Sequence, residues 1–157
     1  VYSNQFPEWE NFRDGLLERI DYKALYYHYL SLAKGGMNVM QTADNFTYKK
    51  VFYSIRGLMS AELATQRIMP ELLITELFEQ ADANDPLRRW AEDYLEIKRQ
   101  QKEKAQLPAA EQTQILKLLN DKIEALNLKA IEPTNDLEKL QQYLTEYSFN
   151  LKKHFYG

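Results

Sequence analysis

At 157 residues the chain is expected to form a single domain with a core of its own, burying roughly 70% of its unfolded surface. The absence of cysteine excludes disulfides, thiolate metal centres and cysteine nucleophiles, and a net charge of −3 offers no overall attraction to nucleic acid or acidic membrane, so such contact needs a local basic patch. No apolar run is long enough to span a bilayer, and the opening VYSNQFPEWE lacks the basic and apolar regions of a secretory signal, so a cytoplasmic setting without a membrane partner is expected.

Pro7 is placed to start a first helix through Trp9, Phe12, Leu16, Leu17 and Ile20. Asp21 then reads as the N-cap of a second helix, from Tyr22 to about Lys34. That segment is apolar or aromatic nearly all round, so it is expected to be the most buried helix, with His28 a hydrogen-bonded core histidine. Gly35-Gly36 is a candidate stop, because two glycines cost a helix about 2 kcal/mol relative to alanine, although Met37, Val39 and Met40 could carry it onward by packing.

The stretch 48–67, YKKVFYSIRGLMSAELATQR, organises the rest. Val51, Phe52, Ile55, Leu58, Met59 and Leu63 fall on one apolar arc, as a helix docked on a core requires. Beside that arc, Lys49, Tyr53, Arg56 and Ser60 line up at i, i+4, i+7 and i+11. Gly57 leaves a spot where a ligand or another backbone can come close. Glu62 projects into the arc itself, where a carboxylate is costly without a partner. Asp44, Asn45 and Thr47 are the candidate caps, and Ile68-Met69-Pro70 marks the end.

Pro70 opens a short helix, ELLITELFEQ, with Leu73, Leu77 and Phe78 inward. The polar turn ADAND leads to Pro86, in the first turn of a long helix running to about Ala105. Trp90, Tyr94, Leu95 and Ile97 face inward there, and Arg88 can pair with Glu92. Pro108 opens a helix with the stripe Ile115, Leu116, Leu119, Ile123 and Leu126, and Pro133-Thr134-Asn135-Asp136 introduces a last one carrying Leu137, Leu140, Tyr143, Leu144, Tyr147 and Leu151. With no alternating run and no Asn-Gly or Asp-Gly turn, the chain reads as an all-α bundle of about six or seven helices joined by short proline-marked turns.

Little of this points to catalysis within the chain. His28 and His154 show no metal-ligand spacing, and no phosphate-cradling glycine loop or nucleophile elbow occurs, so no catalytic residue and no metal ligand is assigned. The Lys49, Tyr53, Arg56 and Ser60 strip is the best candidate: two cations can hold successive phosphate oxygens while a tyrosine between them stacks on a base. The plainer alternative is a solvated face with Arg56 paired to Glu62. A second candidate is the basic run over residues 98–104, although lysines also suit a helix C-terminus electrostatically. A third is an apolar pocket lined by Tyr26, Tyr27 and His28.

The segments VYSNQFPEWENFRDGL, ALYYHYLSLAKG and YKKVFYSIRGLMSAELATQRIMPELLITELFE, in this order, resemble the C-terminal helical half of a bacterial and phage family. Its members are predicted nucleotidyltransferases of the DNA polymerase β superfamily, of the RNA-repair-pathway polymerase β type. The residues that carry the resemblance are Tyr27, His28, Tyr29, Leu30 and Ala33, then Lys49, Lys50, Tyr53 and Arg56, then Pro70, Leu73 and Leu77. It spans residues 1–79 and fades beyond them. The resemblance implies that Lys49, Lys50, Tyr53 and Arg56 face a nucleotide or its acceptor, RNA among the candidates.

In that family the catalytic half carries a Gly-Ser motif and an Asp-x-Asp pair that holds divalent metal. This sequence has no Gly-Ser dipeptide and no two aspartates two residues apart. Because Val1-Tyr2 also resembles the middle of the family pattern rather than a natural start, the helical part of a longer enzyme is expected. Its partner would be an upstream catalytic domain supplying the Mg²⁺ site. The alternative is a non-enzymatic helical interaction module that binds protein or nucleic acid.

Overall fold

The computed structural model describes residues 9–42, 45–100, 104–133 and 137–156, the side chains of Lys98, Phe155 and Tyr156 excepted. Among the described residues there are seven helices and no strand: α1 (Trp9–Leu17), α2 (Tyr22–Thr42), α3 (Tyr48–Thr65), α4 (Ile74–Gln80), α5 (Pro86–Arg99), α6 (Ala109–Asn127) and α7 (Leu137–Tyr156). The protein is all-α. None of these helices is long and apolar enough to cross a membrane. Pro7, Asp44 and residues 134–136, read above as start or cap signals, lie outside the described residues.

The chain falls into two compact units, Val1–Tyr22 with Glu132–Gly157, and Lys23–Ile131. In the first, Phe12 of α1 stacks against Tyr143 and Tyr147 of α7 at ring-centroid distances of 5.9 and 3.9 Å. The Tyr143 hydroxyl donates to the Phe12 carbonyl at 3.0 Å. Gly15 lies against the Tyr143 ring, in a space that no Cβ could share.

The second unit is built around α3. The arc read from the sequence is buried, and so are Ser54, Gly57, Ser60, Ala61 and Ala64. α2 buries a single stripe, Tyr26, Leu30, Ala33, Met37 and Met40, so α3 rather than α2 is the most buried helix. An aromatic ring on an exposed helix face reads like one on a buried face, which is why the second helix looked apolar all round. Gly35-Gly36 does not stop α2, which runs on to Thr42 because Met37 and Met40 are both buried. A Cβ on Gly57 would lie 3.1 Å from the Tyr29 carbonyl oxygen and 3.1 Å from the Ala33 Cβ. The opening that Gly57 leaves is therefore used by the backbone of α2.

Thr47 caps α3, its Oγ1 accepting from the Lys50 amide at 3.4 Å. The other end closes with paired bonds from Arg67 N to the Ala64 carbonyl at 3.1 Å and from Ile68 N to the Leu63 carbonyl at 3.0 Å. This Schellman closure places Arg67 in the left-handed region, φ 59°, where glycine is usual. α4 begins only at Ile74, so Leu73 is its cap residue and is 61% exposed, whereas Leu77 and Phe78 are buried as expected. Asp85 caps α5, its Oδ1 accepting from the Leu87 amide at 2.8 Å, with Pro86 in the first turn. On α6, Ile115, Leu119 and Leu126 reach the core.

Candidate functional site

With so much of α3 buried, only a narrow slice of it meets solvent. Lys49 is exposed, Tyr53 is 54% exposed, and Lys50 and Arg56 are half-buried. Ser60 is only 2% exposed, so it drops out of the strip that its spacing suggested. The spacing is sound, since i+11 returns to within about 20° of Lys49, but a serine is small enough to be buried where neighbouring helices pack, and projection along one helix does not show which end of the strip they cover. Arg56 does not pair with Glu62. Its Nη2 donates to the Leu72 carbonyl at 2.8 Å, tying α3 to the segment after Pro70.

Lys50 and Tyr53 border a groove between α2 and α3, with a volume of about 690 Å³. From α2 it is lined by His28, Ser31, Leu32, Gly35, Gly36 and Val39. The structure thus joins two residues of the basic helix to His28, which is exposed rather than a core histidine and meets Tyr29 edge-on at 5.3 Å. Lys49, Arg56, Ser60 and Tyr27 are not among the lining residues. Tyr27 is 57% exposed, while its neighbour Tyr26 is buried with its hydroxyl donating to the Leu126 carbonyl at 3.1 Å. Tyr26 is thus buried while Tyr27 and His28 are exposed, because the side chains of consecutive helical residues leave the axis in different directions.

The two glycines of the groove differ. A Cβ on Gly36 would come within 2.8 Å of the Ser54 Oγ, so its lack of a side chain makes room for Ser54. A Cβ on Gly35 would meet nothing within 4 Å. Mid-helix glycine costs about 1 kcal/mol relative to alanine, and at Gly35 packing gives no return for it.

Charge is segregated onto these two helices. α2 and α3 carry Lys23, Lys34, Lys49, Lys50 and Arg56 against a single carboxylate, Glu62, in a chain whose net charge is −3. This signal was available in the sequence, but only once the two helices are known to share a groove. Cations on neighbouring helices add their fields, and a groove with apolar walls concentrates them.

Glu62 faces away from this groove and has partners. Its carboxylate receives Lys122 Nζ at 2.5 Å and Lys129 Nζ at 3.2 Å, and Lys122 also donates to Asp85 at 2.7 Å. Burial would raise the Glu62 pKa, but the two ammonium groups outweigh it and hold the carboxyl below its ordinary range. Burial would lower the Lys122 pKa, and the hydrogen bonds it donates to Asp85 and Glu62, with their charges, override it, leaving the ammonium more firmly protonated than usual. Asp85, 7% exposed, was missed in the sequence, although an aspartate directly before a helix-opening proline is a cap signal. Beside this network lies a second cavity of about 470 Å³, also bordered by Asp82, Asn84 and Asp121. Of the basic run over residues 98–104, Arg99 pairs with Glu96 at 3.2 Å, while residues 101–103 and the Lys98 side chain lie outside the described residues.

No curated protein and no solved structure matches the chain. Residues 1–149 match the RNA repair pathway DNA polymerase beta family. The match runs far past residue 79, where the resemblance had seemed to fade, and takes in α4, α5, α6 and most of α7. Over nearly its whole length, the chain belongs to the RNA repair pathway DNA polymerase beta family.

Proposed function

We propose that this chain supplies the helical nucleotide- and RNA-binding part of a nucleotidyltransferase, with the groove between α2 and α3 as its binding surface. The observation that carries this reading is the groove itself: Lys50 and Tyr53 face His28 across helices bearing five cations and one carboxylate in an acidic chain. Lys50 would meet a phosphate oxygen, Tyr53 would offer its ring to a base, and His28 and Ser31 would offer hydrogen bonds. Lys49 and Arg56 flank the groove and extend the positive field along the backbone of a bound strand.

Nucleotidyl transfer in this superfamily relies on divalent metal, and the residues described here do not fit one. Glu62 and Asp85 are brought together, but the Lys122 ammonium stands between them as their cation. On our reading the Mg²⁺ site belongs to a catalytic domain joined to this one, which would act on the substrate held here.

The test is the binding of a short fluorescent oligoadenylate to the protein across a salt series. Kd should rise steeply with salt, and Lys50→Ala should weaken binding and flatten the salt dependence by about one phosphate's worth while the melting temperature holds. Binding unaffected by Lys50→Ala and by Tyr53→Ala would remove the groove from this role.

A further inference from the structure

Gly35 is the unexplained residue of the groove. It lies in the interior of α2, where alanine would support the helix better, and the space beside it is open. Its neighbour Gly36 has a packing reason in the Ser54 hydroxyl, and Gly35 has none. Its one structural consequence is to keep a patch of helix backbone bare along the groove, whose lining also includes His28, Lys50 and Tyr53. Leu32 and Val39, both exposed, flank that patch with apolar surface. A bare backbone patch between apolar walls suits a flat ring, because a planar group can come closer to a helix without a Cβ than to one with it.

We propose that Gly35 determines the shape of this site, leaving room for one nucleobase of a single-stranded RNA to lie flat on α2 beside Tyr53. This rests on the reading of the groove as a nucleic-acid surface and adds base contact to phosphate contact. The choice of RNA over an apolar peptide follows from charge, since the two helices that form the groove carry five cations against one carboxylate in a chain of net charge −3. Lys50 at the rim places a cation where the phosphate next to the seated base would run.

Two fluorescent probes separate the claims: a short oligoadenylate, and an abasic oligomer of equal length that keeps the phosphates alone. The wild-type chain should bind oligoadenylate about ten-fold more tightly than the abasic oligomer. Gly35→Ala should raise the melting temperature by roughly 2–4 °C and lower oligoadenylate affinity toward the abasic value, leaving abasic binding unchanged. Equal affinity of the wild type for both probes would overturn the base contact and leave the phosphate surface standing. Gly35→Ala that binds oligoadenylate as well as wild type, or that melts at a lower temperature, would also overturn the proposal. No binding of either probe by the wild type would instead bring down the underlying reading of the groove, and this inference with it.

Discussion

Asp85 holds two elements at once: one carboxylate oxygen caps α5 through the Leu87 amide at 2.8 Å, and the other receives the Lys122 ammonium of α6 at 2.7 Å. The same ammonium reaches Glu62 on α3, so three helices meet on one lysine. Each partner is largely out of water, where a carboxylate without its cation is costly.

Removing that cation should therefore be expensive. Lys122→Met keeps most of the volume and leaves the buried Asp85 without its counterion, which should cost on the order of 3 kcal/mol. Urea denaturation measures this directly. A loss under about 1 kcal/mol would mean that water or Lys129 replaces the ammonium.

The same network sets a pH window. The folded-state pKa of Glu62 is depressed, so its contribution is present above the ordinary carboxyl value of about 4.3 and lost as pH falls through the lower folded value. That of Lys122 is raised, so its contribution is complete below about 10.4 and lost as pH rises through the higher folded value. Stability should be flat between these limits as far as this network is concerned and fall beyond each. In Glu62→Gln the acid limb should become shallower, and an unchanged acid limb would rule Glu62 out as its source.

Tyr94 offers a substitution in the opposite direction. Its ring packs between Trp90 and Tyr48, at 3.8 and 4.6 Å, while its hydroxyl is buried without a hydrogen-bond partner. Burial, followed by the Tyr48 and Glu111 charges, drives its pKa far above the ordinary value, as expected where a phenolate cannot be solvated. Tyr94→Phe removes an unsatisfied oxygen and keeps both ring contacts, so it should stabilise the protein by roughly 1 kcal/mol. Thermal denaturation should show a higher midpoint; a lower one would mean that the hydroxyl is satisfied in solution.

The periodicity of residues 48–67 was enough to identify α3 and its buried arc, while Thr47 was one of three candidate caps and the structure selects it. Prolines 86 and 108 marked where α5 and α6 begin, because a fixed φ and a missing amide are local properties of one residue. Spacing also put Lys49, Tyr53 and Arg56 on one side of α3, since helical geometry is set by the backbone. What spacing could not supply was the surroundings of each residue. Ser60 and Tyr53 lie on the same strip in projection, yet one is buried and the other exposed, because burial depends on which neighbouring helix arrives. His28 looked like a core residue and lines an open groove; Gly57 looked like room for a ligand and receives the backbone of α2. The partner that Glu62 needed was foreseeable, but its identity, Lys122, lies 60 residues away along the chain. Local sequence determined the helices and the faces available to them, since those follow from backbone geometry and side-chain polarity. The tertiary structure alone decided which faces meet, and so which polar groups are paired in the interior and which are left in a groove to meet a ligand.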